Sequence, residues 1–160
     1  MLDKILNYCF NMSKQPVLLK DLLIANRQFN EKLQVDNVKL GYRLKIGRAY
    51  LVYIVLVSIA AIPIAIITHK AFASVDTHAS IIASILFTAI IFICFNFFRI
   101  YLKDQMAQKV IRAAWKNHFP YFAYDEYKIK VEKIFESAMK AEVPRKDLEK
   151  YLLDNLVEED

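Results

Sequence analysis

AYLVYIVLVSIAAIPIAIIT, residues 49–68, and ASIIASILFTAIIFICFNFF, residues 79–98, decide the fold. Neither stretch contains Asp, Glu, Lys, Arg or His, and each is 20 residues long. At ~1.5 Å of rise per residue, such a helix crosses the ~30 Å hydrocarbon core of a bilayer. A soluble protein can bury one helix of this kind, but a chain of 160 residues has too little left over to wrap two. A cleaved leader is also a poor fit, because the first run begins behind a long charged segment. The expected fold class is an all-α membrane protein: a two-helix transmembrane hairpin with amphipathic cytoplasmic helices at both termini.

Composition agrees. The chain is 56% hydrophobic against ~45–50% in ordinary globular proteins, yet 24% charged, so its two populations must be kept apart. Two Gly and four Pro are too few for a many-stranded sandwich or a glycine-rich phosphate loop. The segments expected are therefore an amino-terminal arm (1–48), a first span (49–68), a short extracytoplasmic connection (69–78), a second span (79–98) and a carboxy-terminal helical region (99–160).

Orientation follows from the basic residues. Nine Lys and Arg precede the first span, only Lys70 lies between the spans, and twelve follow the second. The positive-inside bias then places both termini in the cytoplasm. Lys39, Arg43, Lys45, Arg48, Arg99 and Lys103 flank the spans as membrane-surface cations facing anionic lipid. Tyr50, Tyr53, Phe95, Phe97, Phe98 and Tyr101 belong to the same headgroup level. The whole +5 net charge resides in the amino-terminal arm, where topology and lipid account for it, and no nucleic-acid partner is expected. The carboxy-terminal region balances to zero and ends in Glu158, Glu159 and Asp160.

Within the spans, Ser58, Ala61, Ala65 and Thr68 share one helix face, and Ser80, Ser84 and Thr88 recur every four residues. Small residues at this spacing let helix backbones approach, so these positions are the expected packing face of the hairpin, or of one subunit on another. Pro63 is expected to kink the first span. Without an ionisable group in either span, a proton relay, a voltage sensor or an ion-coupled transporter is disfavoured.

The arms carry helical stripes. After a short amphipathic turn around Leu2, Ile5, Leu6 and Cys9, Pro16 is expected to open a helix to about Gln34. Its seam is Leu19, Leu22, Asn26, Phe29 and Leu33. Residues 38–46 alternate apolar and polar and suit an extended or interfacial connector. The second span is expected to continue to about Asn117, ended by Pro120. A helix over about 124–142 then carries Tyr127, Val131, Ile134 and Ala138, and a last helix after Pro144 carries Leu148, Leu152 and Leu156. Each stripe needs a covering surface, in one small bundle or on a partner.

Candidates for chemistry are thin. Cys9 and Cys94 lack CxxC spacing and suit reduced apolar fillers. His69, His78 and Asp76 around the connection form a conceivable metal or pH-sensing set, but helix capping explains them better. No enzyme and no cofactor is expected. The expected role is a non-catalytic subunit of a bacterial inner membrane that anchors, and docks partners or copies of itself through its cytoplasmic helices, as a structural or accessory component of a larger complex such as a secretion-type machine. An oligomeric pore or membrane-perturbing effector built from the hairpin is the alternative.

Overall fold

The structure, a computed structural model, describes the backbone of residues 1–72 and 77–158 and the side chains of these except 65, 67–72, 77–80 and 158. The expected sites at Ala65, Thr68, Ser80, His69, Asp76 and His78 lie outside the described side chains. The chain is mostly helical, with α1 Leu2–Cys9, α2 Leu19–Asn30, α3 Ile46–Phe72, α4 Thr77–His118, α5 Tyr124–Lys140 and α6 Leu148–Glu158. Two three-residue strands, β1 Phe10–Met12 and β2 Tyr42–Leu44, pair in a small sheet. The connector at 38–46 is thus a turn followed by a strand, with Leu40 and Tyr42 buried.

Two helices, α3 and α4, are long and apolar enough to cross a membrane. Both outrun their charge-free windows, so the helical part of the hairpin reaches into the expected ten-residue connection from either side. α3 continues through Pro63 as one helix, and α4 runs 42 residues to His118.

The chain divides into two compact units that cut across the segments expected from the sequence. Unit 1 comprises residues 1–11 and 44–103; unit 2 comprises 12–43 and 104–160. Within the amino-terminal arm, residues 1–11 and 44–48 belong to the unit that holds the two long apolar helices, and residues 12–43 to the unit that holds the carboxy-terminal region.

In unit 1, α1 packs on the beginning of α3. The Lys45 N–H donates to the Cys9 carbonyl at 2.8 Å, and Leu6, Cys9, Phe10, Ala49, Tyr53 and Leu102 are buried.

Unit 2 has a conventional core. α2, the 104–118 part of α4, α5 and α6 enclose Leu22, Leu23, Met106, Ile111, Val131, Phe135, Leu152 and Leu156. At ~1.5–3 kcal/mol for each large aliphatic or aromatic side chain, this burial is the main term holding the unit together. Trp115 anchors its end: the indole Nε1 donates to the Phe122 carbonyl at 2.8 Å, and the ring meets Phe119 and Tyr124 at 4.7 and 5.1 Å. The Ser13 N–H donates to the Gly41 carbonyl at 2.7 Å. Gly41 has φ +69, a conformation that favours glycine, and a Cβ there would lie a tight 3.1 Å from that of Ser13.

Two helix ends differ from expectation for one reason. α2 stops at Asn30 and α5 at Lys140 because Lys32 and Glu142 adopt left-handed conformations, φ 57 and 52. The following amides, Leu33 and Val143, then reach back to the Gln28 and Ala138 carbonyls at 2.8 and 3.0 Å, a Schellman closure. Leu33 consequently falls outside α2 and is 56% exposed, so it is not part of the seam. Pro16 lies three residues ahead of α2 rather than in its first turn.

Candidate functional site

The expected interaction stripes are occupied inside unit 2. Leu22, Val131, Ile134, Ala138, Leu148, Leu152 and Leu156 are buried, while Leu19, Phe29 and Tyr127 are half-buried. Of the two coverings expected for these stripes, one small bundle or a partner, the buried side chains have the bundle: they pack in the unit's own core. The physical cause is long-range pairing. α2 lies on α5, where the Asn26 amide, fully buried, donates to the Lys128 carbonyl at 3.0 Å, and α6 also lies on α5.

A polar clasp flanks that contact. Arg27 Nε reaches Glu31 at 2.9 Å along its own helix and Arg27 Nη2 reaches Glu136 of α5 at 3.3 Å. The Asn30 amide donates to Glu132. Carboxylate oxygens of Glu31, Glu132 and Glu136 lie within 4.8 Å of one another, but Arg27 already ties two of them, so the cluster is an interhelical clasp. In the first turn of α5, Arg112 of α4 makes a bidentate pair with Asp125 at 2.7 and 2.8 Å. The Arg112 hydrogen bonds hold the Asp125 carboxyl below the usual carboxylate range. Burial pushes the Tyr42 and Tyr124 phenols up, with Arg112 partly opposing this at Tyr124.

A shallow cleft of about 190 Å³ lies between α5 and α6, lined by Lys130, Lys133, Ile134, Ser137, Tyr151 and Asn155. The Ser137 hydroxyl donates to the Lys133 carbonyl and the Asn155 amide to the Tyr151 carbonyl, each within its own helix. That geometry supplies no activated nucleophile.

Unit 1 holds the other arrangement of interest, at the beginning of α3. The Arg48 guanidinium lies 4.9 Å over the Tyr8 ring and donates to the Tyr8 carbonyl at 3.3 Å. Burial pushes the Cys9 thiol up, with Arg48 pulling it the other way, so the thiol stays neutral. One turn further along α3, Tyr53 donates its hydroxyl proton to the Ile91 carbonyl of α4 at 2.7 Å. Its ring meets Phe95 and Phe98 at 5.3 and 5.4 Å, and Tyr50 meets Phe95 edge-on at 5.3 Å. Spacings of three, 50 to 53 and 95 to 98, put each pair on one helix face. That signal was present in the sequence, but it marked headgroup level rather than a contact between the helices.

The expected small-residue face is distributed differently. Ser58 and Ala61 are half-buried on α3, whereas Ser84 and Thr88 are exposed on α4, the Thr88 hydroxyl donating to the Ser84 carbonyl of its own helix at 2.8 Å. Of the six flanking cations, Lys45, Arg48, Arg99 and Lys103 belong to unit 1, while Lys39 and Arg43 are exposed on unit 2. Compared with family models, curated proteins and solved structures, the chain finds no match in any of the three.

Proposed function

We propose that the chain is a non-catalytic, membrane-anchored subunit of a bacterial inner membrane, with both spans crossing the bilayer and both termini in the cytoplasm. The observation that carries this reading is the exposure of the apolar windows. The most apolar stretches of α3 and α4 are only 11% and 0% buried, while unit 2 has a complete core of its own. Helices that apolar, left uncovered by their own chain, need a hydrocarbon surrounding. The basic residues on either side of the spans set the orientation.

With the cytoplasmic stripes spent inside unit 2, assembly is assigned to the spans. Small residues at Ser58 and Ala61 of α3 suit close approach by a second copy or another membrane subunit. The test is twofold. After alkaline washing the full chain is expected in the membrane pellet, with reporters fused at both termini active only in the cytoplasm; a soluble chain defeats the anchoring reading. Purified in a native-like membrane, the protein is expected as an oligomer or with a partner, and Ala61→Leu is expected to weaken that assembly. A solitary monomer defeats the docking reading.

A second reading, an oligomeric pore or membrane-perturbing effector, draws on one observation: Ser84 and Thr88 are exposed on α4. It requires conductance in reconstituted bilayers that Ser84→Leu or Thr88→Leu abolishes. Tight vesicles containing the assembled protein would discard it.

A further inference from the structure

The amphipathic helix α1 has more apolar surface than unit 1 covers. At 100° per residue, Tyr8, Met1, Ile5, Cys9, Leu2 and Leu6 occupy one continuous arc, and Asp3, Asn7 and Lys4 the remainder. Burial in the unit is confined to Leu6 and Cys9, and Leu2 between them on the arc is 36% exposed. The rest of the arc is open: Tyr8 is 45% exposed, Met1 is fully exposed and Ile5 is half-covered. A helix of eight residues has little stability of its own in water, so an uncovered half-face on so short an element needs an explanation.

Its location supplies one. The bonds from Lys45 to the Cys9 carbonyl and from Arg48 to the Tyr8 carbonyl pin the end of α1 beside residues 45–48. The charge-free window begins at the very next residue, Ala49. The open arc thus lies at the end of α3 where exposed apolar side chains begin, Ile46, Tyr50 and Leu51 among them, and Lys45 and Arg48 beside it supply positive charge that matches anionic headgroups. We infer that α1 lies in the interfacial layer of the bilayer that α3 and α4 cross, with Met1, Ile5 and Tyr8 lowered into lipid and these cations at the phosphates. The inference rests on the membrane-spanning reading of the hairpin. Tyr at headgroup depth and an apolar-faced helix lying ~5–10 Å into the interface fit the pattern of such elements; Asp3 and Lys4 balance within α1, so the positive charge comes from Lys45 and Arg48 beside it. Attachment to α3 removes most of the cost of bringing so short a helix to the surface.

The experiment uses the full chain in vesicles of phosphatidylcholine with phosphatidylglycerol. The protein has one Trp, buried in unit 2, whose emission is subtracted as the parent signal. Tyr8→Trp is expected to emit at shorter wavelength than Trp in water and to lose more emission to lipid brominated near the headgroup end of the chain than near the methyl end. Ile5→Trp provides a second position with the same expectation, and Ile59→Trp, inside α3, is expected to show the reverse order. If Trp at 8 and at 5 is quenched by aqueous iodide and by neither brominated lipid while Ile59→Trp responds, α1 stands in water and the inference fails with the spanning reading intact. Protection from iodide and from both brominated lipids would mean a protein cover and would equally overturn it. Failure of Ile59→Trp to respond brings down both.

Discussion

Leu152 in α6 is fully buried and Ile59 in α3 is 67% exposed, although both are large aliphatic side chains on helices. Unit 2 solves its hydrophobicity internally, by pairing α2, α5 and α6 with the last turns of α4, whereas the spans leave theirs on the outside. The contrast teaches that hydrophobicity alone does not mark a binding surface. In the charged arms, where apolar stripes looked in need of a partner, the chain supplies the partner itself. Among the described residues the longest uncovered apolar runs lie along α3 and α4, and on the proposed reading lipid or another span covers them.

Substitutions can break this contrast, and the buried polar contact should respond most. Asn26→Asp places a carboxylate in the fully buried position that donates to the Lys128 carbonyl, so unit 2 is expected to lose about 3–5 kcal/mol, the range for an uncompensated buried charge. Asn26→Leu should cost no more than about 1 kcal/mol, because it removes one hydrogen bond together with an Oδ1 that is buried without a partner. Denaturant titration in mild detergent, followed by the emission of Trp115, reads both.

Next in size is the pair that defines the comparison. Leu152→Ala should cost unit 2 about 2–5 kcal/mol, and Ile59→Ala should leave the Trp115 transition unmoved. Ile59→Lys, by contrast, should impair insertion of α3 by about 2.5–3.5 kcal/mol without unfolding unit 2. Glycosylation mapping of the inserted fraction measures it, and equal responses of both units to both substitutions would erase the distinction between them.

Acidity sharpens the comparison further. Tyr42 and Tyr124 have phenol pKa values raised by burial, so the folded state favours the protonated form. That contribution is complete below the ordinary Tyr pKa of about 10 and is lost as pH rises above it, so unit 2 should weaken in alkali. Asp125 works in the opposite sense: its lowered pKa contributes at neutral pH, and the contribution is lost as pH falls below about 4. The carboxylate is largely exposed, so the acid effect should be the smaller. A Trp115 melting curve against pH checks both limbs, and Asp125→Asn should flatten the acid one. Smallest of all, Arg27→Gln should leave the Trp115 unfolding transition almost unmoved, since its ion pairs with Glu31 and Glu136 are solvent-screened.

The spans were legible from their missing charges, and the stripes from their three-and-four spacing, because both are local properties of consecutive residues. What covers each stripe was not legible. Asn26 and Lys128 are 102 positions apart, and no periodicity reports such a pairing. The ends of α2 and α5 were also obscure, because Lys32 and Glu142 take the left-handed position usually marked by glycine. At the beginning of α3 the aromatic residues were evident, but the hydrogen bond from Tyr53 to a carbonyl of α4 depends on how two helices meet. The division of the amino-terminal arm between two units likewise arises from chain crossing rather than from composition.

The split of unit 2 into residues 12–43 and 104–160 has a consequence in time. The chain is made from its amino end at ~5–20 residues per second, so α2 waits ~5–20 s for the α5 residues it must pack against. Throughout that interval its apolar side is uncovered, and the next segments to emerge are the two most hydrophobic in the molecule. Early capture of α3 by the membrane would remove them from competition, leaving α2 to wait for its proper neighbour. If the two apolar helices are the membrane anchor proposed above, delayed insertion should harm unit 2 as well, through aggregation of half-made chains.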